Sequence, residues 1–422
     1  MQSVTGQIQA IFGLMIFISI ACALSERRAW PNWRLIFVGL GLQLIVALIM
    51  FKLPIVQTVL AWLNKGVNAI ASATEAGTQF VFGYLGGEPA NIPYPFTVED
   101  PGATFVLAFR VLPLILFFTV LSAILWHYRV LPVVIRGFSY VLRRTLGVGG
   151  AVGVSTAGNI FLGMVESPLL IRPFMSQLSR SELFIVMSCG MATVAGSVMI
   201  LYSIILQNVL DDALGHILTA SVISVPAAIM IARLMIPGDE STGSDEITDP
   251  VKYTNLLDTI TGSTADGIRL MVNVGAMLIV LIALVALVNS ILALLPDIGG
   301  SSITLEWLLG IIFTPVVWLM GVPWSECLTA GSLMGIKTVL NELIAFFALA
   351  DVEPGALSKK SVLIMTYALC GFANFGSLGI MIGGLGGMCP ERRHEIIQLA
   401  PRTLISGTLA TCMTGSIAGI LA

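Results

Sequence analysis

Charge is scarce in this chain: of 422 residues only 11% are Asp, Glu, Lys or Arg, while 56% are hydrophobic. A soluble domain carries about a quarter charged residues, so a water-facing surface is excluded for most of the sequence, and the mean hydropathy of +0.95 agrees. No basic tail or stripe is present and the formal net charge is −3, which removes the electrostatic footprint needed to bind nucleic acid. Histidine is almost absent. His127, His216 and His394 lie at loops or at the ends of apolar runs, and neither an HExxH nor a GxSxG motif occurs, so an enzyme of the metalloprotease or serine-hydrolase kind has no machinery here. The six cysteines (Cys22, Cys189, Cys327, Cys370, Cys389, Cys412) lack metal-ligand spacing. They read as small buried apolar residues, not as a disulfide framework.

What is present is a series of long apolar runs. About 20 apolar residues cross the hydrocarbon core of a bilayer, and eight stretches qualify: 7–24, 33–52, 103–126, 182–207, 213–236, 269–296, 360–386 and 401–421. The first lacks the basic start and small-residue cleavage site of a signal peptide, and is expected to be a retained helix. Segments 54–80 and 129–146 mix apolar residues with charges such as Lys65, Glu75, Arg136 and Arg143, the pattern of helices lying at the membrane interface. Lys and Arg gather around 27–34, at 129–144 and at 392–393, which predicts cytoplasmic loops there. The acidic loop Glu88 to Asp100 and the Asp211-Asp212 turn then face outward, with both termini periplasmic in an inner membrane.

Two other apolar stretches, 151–179 and 304–350, carry Gly, Pro, Asn and a Glu in their middles. Each is expected to contain a re-entrant hairpin, since irregular backbone at membrane depth survives only where protein or a wet cavity covers it. The first would enter from inside and the second from outside. Self-similarity supports a repeat: Cys189-Gly-Met-Ala-Thr-Val-Ala-Gly-Ser197 resembles Cys370-Gly-Phe-Ala-Asn-Phe-Gly-Ser377, and each follows a hairpin bearing a carboxylate, Glu166 or Glu342. Inverted repeats of this kind meet near the midplane and form substrate and ion sites from unwound helices. Unwinding is expected at Thr193 to Ser197 and at Asn374 to Ser377. A carboxylate at the membrane centre costs about 2.5–3.5 kcal/mol, so Glu166 and Glu342 need either a function or a structural partner, Arg172 and Lys337 being candidates for the latter.

At these residues the sequence resembles the concentrative nucleoside transporters over nearly its whole length. The matches are Gly158-Asn-Ile-Phe-Leu-Gly-Met-Val-Glu-Ser-Pro168 with Arg172-Pro173, Gly321-Val-Pro-Trp324, Gly335-Ile-Lys-Thr-Val-Leu-Asn-Glu342, Cys370-Gly-Phe-Ala-Asn374 and Gly383-Gly-Leu-Gly386. The resemblance implies an all-α integral membrane homotrimer: eight transmembrane helices, two re-entrant hairpins and interfacial helices, with an inverted-repeat transport domain moving against a scaffold. The corresponding division is 1–126 (scaffold), 127–237 (first transport repeat), 238–254 (linker), 255–300 (interfacial helix and scaffold helix) and 301–422 (second transport repeat). It also implies that Glu342, Asn374 and Ser377, with Phe372 beside them, bind the ribose hydroxyls, and that Met164, Val165, Glu166 and Val198 complete the substrate site. Asn159, Thr193 and the main-chain carbonyls of Leu162 and Val194 match the family's sodium site, an all-oxygen set suited to a hard cation.

Two departures bear on substrate. Family members usually have Gln and then Thr or Ser before the first-hairpin Glu, where this chain has Met164 and Val165, and neither can hydrogen-bond a base as those would. Ser332 stands where many members have a further Glu. The expectation is an intact ribose half and an apolar base half tolerant of several bases. A proton-coupled carrier, with Glu166 or Glu342 taking up the proton, remains the alternative to sodium coupling, and a channel or solute-sensing receptor is a less favoured class.

Overall fold

The computed structural model describes residues 2–27, 32–87, 106–238, 253–296 and 303–421. Among the described residues the regular structure is helical, with no strand: α1 (Gln2–Ala23), α2 (Trp33–Lys52), α3 (Pro54–Phe82), α4 (Leu107–Arg110), α5 (Leu112–His127), α6 (Val130–Leu146), α7 (Gly150–Gly158), α8 (Glu166–Leu169), α9 (Arg180–Ala192), α10 (Gly196–Leu206), α11 (Ala213–Met235), α12 (Leu256–Leu292), α13 (Leu305–Leu319), α14 (Cys327–Val339), α15 (Glu342–Ala350), α16 (Lys359–Leu369), α17 (Phe375–Met388) and α18 (Arg393–Leu421). The acidic loop Glu88 to Asp100 and most of the linker 238–254 lie outside the described residues.

Six helices among the described residues are long and apolar enough to cross a bilayer: α1, α2, α4 with α5, α11, α12 and α18 with the turn before it. The other two expected spans are each split. The stretch 182–207 is α9 and α10 with Thr193 to Ala195 between them, and 360–386 is α16 and α17 with Cys370 to Asn374 between them. The second break therefore falls before Asn374, not from Asn374 to Ser377, because the Asn374 side chain accepts from the Ser377 amide at 2.7 Å and starts α17 as its N-cap. The expected interfacial helix and span within 255–300 are one continuous helix, α12, which begins at Leu256 and not at 269. In 304–350, α13 is a separate helix ended by a turn at Met320 to Pro323, and the break between α14 and α15 is only Leu340 and Asn341.

Burial separates the helices into centre and periphery. The membrane-length windows of α11 and α18 are 89% and 72% buried, against 12% for α12. Small residues such as Ala, Ser, Gly and Thr fill α11 and α18 and let neighbours come close. Helices α1 and α2 pack on α11 and α18, whereas α5 packs along α12. Helix α3 touches both groups, packing on α11 and α2 as well as on α5. In α6, Leu131, Ile135, Ser139, Leu142 and Leu146 form one buried stripe while Arg136 and Arg144 are exposed, an amphipathic pattern. Its end is closed by Gly147 at φ +63° and by Arg233, which donates to the carbonyls of Leu146 and Gly147 at 2.6 and 2.9 Å.

The α13–α14 contact explains Ser332. A methyl group on Gly331 would lie 2.5 Å from the Gly310 carbonyl oxygen, and one on Gly335 2.4 Å from Leu309 Cβ. Ser332 lies on this glycine seam, its hydroxyl donating to the Leu328 carbonyl at 3.0 Å, so a longer acidic side chain there would part the two helices.

On the face expected to be cytoplasmic, Glu26 after α1 accepts from Arg180 at 2.9 Å and from Arg402 at 2.7 Å. Arg392 pairs with Glu395 at 2.7 Å and donates to the carbonyls of Met175 and Leu178. This network ties α1, α9, α18 and the strand of chain before α9 together. The Arg180 hydrogen bond holds the Glu26 carboxyl below its ordinary value of 4.5. A depressed carboxyl stabilises the fold above that ordinary value, and the contribution disappears as pH falls through the lowered one. Glu26→Gln should therefore reduce stability by about 1 kcal/mol at neutral pH, with the gap to wild type closing in acid below 4.5; thermal denaturation at the two pH values measures it.

Candidate functional site

Where the first hairpin is expected, a turn of the chain lies between α7 and α8. Its arms are pinned by Ser167, whose hydroxyl donates to the Ser155 carbonyl at 2.5 Å and lies 3.0 Å from the Ser155 hydroxyl. Gly158 permits this approach, since a methyl group there would lie 2.9 Å from Leu170 Cδ1. Glu166 opens α8 and its carboxylate folds back over Gly163, where a Cβ would come within 2.1 Å of Oε2. Arg172 is exposed and forms no ion pair with Glu166.

The two helix breaks are stitched to this turn and to each other. The Gly196 amide donates to the Phe161 carbonyl at 3.0 Å, and the Phe372 amide donates to the Thr193 carbonyl at 3.2 Å. These bonds satisfy groups that broken helices would leave unpaired in the membrane. Gly371 makes the crossing possible: a methyl group there would sit 3.0 Å from the Ala192 carbonyl oxygen and 2.7 Å from Thr411 Cγ2.

Glu342 is the first residue of α15, whose N-cap is Asn341. The helix N-terminus favours a carboxylate, and each oxygen has a donor: Tyr202 reaches Oε1 at 2.7 Å and Asn374 Nδ2 reaches Oε2 at 2.8 Å. Lys337 is not its partner. That ammonium donates to the Ala368 carbonyl at 2.8 Å and to the Thr411 hydroxyl at 3.1 Å. Tyr202 was not among the residues expected from sequence. Its signal was there, a phenol in the mostly apolar α10, one turn after Val198, because a buried tyrosine hydroxyl needs a polar partner.

Around Glu342 lies a cavity of about 1230 Å³. Met164, Val165, Glu166 and Val198 line it from one half of the chain, and Glu342, Phe372, Asn374 and Ser377 from the other, so all eight expected substrate residues share one wall system. Met164 and Val165 are held by close backbone contacts: a Cβ on Gly190 would meet Met164 Cβ at 2.9 Å, and one on Gly384 would meet Val165 Cγ2 at 2.7 Å. The opposite wall comes from α5 and α12, including Thr119, Ser122 and Asn273, and the mouth reaches Trp126, Tyr253 and Asp266.

The expected cation ligands lie where α7 and α9 end. Asn159 caps α7, is fully buried, and neither its amide oxygen nor its amide nitrogen has a hydrogen-bond partner. Thr193 caps α9 with its hydroxyl donating to the Cys189 carbonyl at 2.9 Å. No basic residue lies in the last turn of either helix. Two negative helix ends and an unpaired amide oxygen fit a hard cation.

A largely apolar cavity with a few buried polar groups at broken helices, in a chain of membrane-length apolar helices, suits a membrane carrier. Comparison with known proteins gives the family. The model described as Na+ dependent nucleoside transporter C-terminus matches residues 216–419, its N-terminal counterpart matches 12–85, and a nucleoside-recognition model matches 108–208. The chain is 36% identical to an uncharacterized transporter, YutK, of Bacillus subtilis, over 97% of this chain and 98% of that one. It is 32% identical to the nucleoside permease NupC of Helicobacter pylori, over 97% of each. With sodium/nucleoside cotransporter 1 of Rattus norvegicus it shares 33% identity over 98% of this chain and 64% of that longer one. The fold matches CNTnw in an inward-facing substrate-bound state with a TM-score of 0.88 at 33% identity, covering 98% and 97% of the two chains. This chain belongs to the concentrative nucleoside transporter family.

Tyr202→Phe tests the carboxylate clamp. A hydrogen bond to a charged group contributes about 1.5–3 kcal/mol, so the variant should fold, yet transport substrate with a KM raised tenfold or more; initial-rate uptake into proteoliposomes reads this directly.

Proposed function

We propose that this chain is a sodium-coupled symporter that imports nucleosides across the inner membrane by an elevator-like movement. The observation that carries the substrate reading is the Glu342 clamp. A carboxylate has about four acceptor positions; Tyr202 and Asn374 take one on each oxygen, and the remaining one on each oxygen suits the two hydroxyls of a vicinal diol. Ser377 and Phe372 line the cavity beside it, the first to bond a hydroxyl and the second to pack against the sugar ring. Met164, Val165 and Val198 give the base an apolar bed without directed hydrogen bonds, so the carrier accepts several bases. Glu166 supplies the first repeat's polar contact to the bound solute.

Sodium, carried as co-substrate, is held by Asn159, Thr193 and the Leu162 and Val194 carbonyls. Its charge relieves the two negative helix ends and fixes the first-hairpin turn, on whose far side Met164 to Glu166 face the substrate. Ion and nucleoside thereby favour the same arrangement of the turn, which is the coupling. The turns at Asn159 to Val165 and at Leu340 to Asn341 are the tips of re-entrant hairpins belonging to inverted repeats. The packing of α1 and α2 on α11 and α18, and of α5 along α12, supports a division in which α1, α2, α11 and α18 travel with those repeats and α5 and α12 form the scaffold of a homotrimer.

Uptake of labelled uridine and adenosine into proteoliposomes, with and without an inward sodium gradient, tests this reading. Wild type should accumulate both only with sodium, and Glu342→Gln should lose at least tenfold in uptake, since a neutral amide is a weaker acceptor for both hydroxyls. Asn159→Ala should abolish sodium stimulation. Accumulation driven equally well by a proton gradient in Asn159→Ala would instead favour proton coupling, and competition by a single pyrimidine nucleoside alone would refute the broad base pocket.

A further inference from the structure

The two repeats answer the same electrostatic problem, and only one of them answers it with a protein side chain. Wherever a helix stops at membrane depth, its last carbonyls and the negative end of its dipole lack water. In the first repeat the paired stops are those of α7 and α9, with no basic residue at either and with Asn159 buried and unpartnered. In the second repeat the paired stops are those of α14 and α16. There Lys337, in the last turn of α14, sends its fully buried ammonium to the carbonyl of Ala368, in the last turn of α16. Thr411 supplies the second oxygen at 3.1 Å. No carboxylate pairs with this ammonium among the described residues, and Glu342 is engaged by Tyr202 and Asn374.

We propose that Lys337 is a tethered cation, occupying in the second repeat the position that the first repeat leaves open for an exchangeable one. A lysine bound covalently to the chain cannot be released, so the second break is permanently neutralised and the carrier moves one ion per cycle through the first. The family's sodium dependence does not by itself require this; the inference rests on the sodium reading of the Asn159 site and adds that a second, latent site of the same chemistry exists around Ala368 and Thr411. Oxygen ligands from a carbonyl and a hydroxyl suit sodium as well as ammonium.

Replacing Lys337 should therefore expose that site. Lys337→Asn puts at the position the side chain that Asn159 provides in the first repeat. In full-length protein in proteoliposomes, its sodium activation should change from hyperbolic to sigmoidal, and the ratio of ²²Na⁺ to nucleoside carried should about double, as expected when two bound ions are linked to one state. In detergent, added sodium should raise its melting temperature more than that of wild type, whereas choline should not. Lys337→Met, which keeps the apolar stem and cannot ligate an ion, should lose transport in any salt. The proposal is overturned if Lys337→Met transports with wild-type rate and sodium dependence, or if Lys337→Asn responds to sodium no more than wild type does in both assays. Because the readout is the gain over wild type with Asn159 intact, a sodium-independent wild type would refute the coupling reading, while sodium stabilisation newly acquired by Lys337→Asn would still support the latent site.

Discussion

The structure depends on one constraint: a helix that stops inside a membrane must have its exposed amides and carbonyls met by other parts of the protein. The Phe372 amide on the Thr193 carbonyl and the Gly196 amide on the Phe161 carbonyl are the points at which that requirement is met. They join both breaks and the first-hairpin turn into one cross-linked centre. Glycines cluster there because main chain must touch main chain, as at Gly196, whose missing Cβ would lie 2.7 Å from the Phe161 carbonyl oxygen. The polar site is thus a by-product of solving a backbone problem. Once the breaks are stitched, residues beside them line a cavity, Glu342 and Asn374 among them.

Much of this could be read in the sequence because low dielectric makes polar residues conspicuous. Glu166, Asn159 and Asn374 stand out in apolar runs, and the repeated Cys-Gly segment marks where two helices break. The order along the chain of the eight residues expected at the substrate site gave no geometry, yet the structure gathers all of them on one cavity. Other features escaped because they are decided by partners distant in the chain. The position of the second break turns on Asn374 acting as an N-cap, which moves the unwound residues upstream to Cys370. Tyr202 looked like one more large side chain until Glu342 was placed 140 residues away in sequence and 2.7 Å away in space. Helices α1 and α2, first in the chain, pack on α11 and α18 from its middle and end, a neighbourhood that no local pattern announces.

The division of labour between the two halves of the site follows from their residues. The first carries the apolar bed of Met164 and Val165 and an unpaired amide at Asn159; the second carries the ionisable pair Glu342 and Lys337, each placed at the helix end that suits its charge. An acid at a helix start and a base at helix ends need not touch to be stabilised. This leaves the Glu342 carboxylate free of a salt bridge and open to a solute, which a direct pair with Lys337 would have blocked.

The continuity of α12 sets a length scale for the whole molecule. Its 37 residues give a rod about 55 Å long, against a hydrocarbon layer of about 30 Å. Such a rod either leans steeply or stands well clear of the lipid at one end. Its first turns carry Asp258, Asp266 and Arg269, residues that belong in water, so it is this end that projects. Tyr253, just before this polar end, and Asp266 within it also line the cavity, so one stiff rod runs from the water-facing start of α12 to the wall of the site, like a jetty reaching past the shallows.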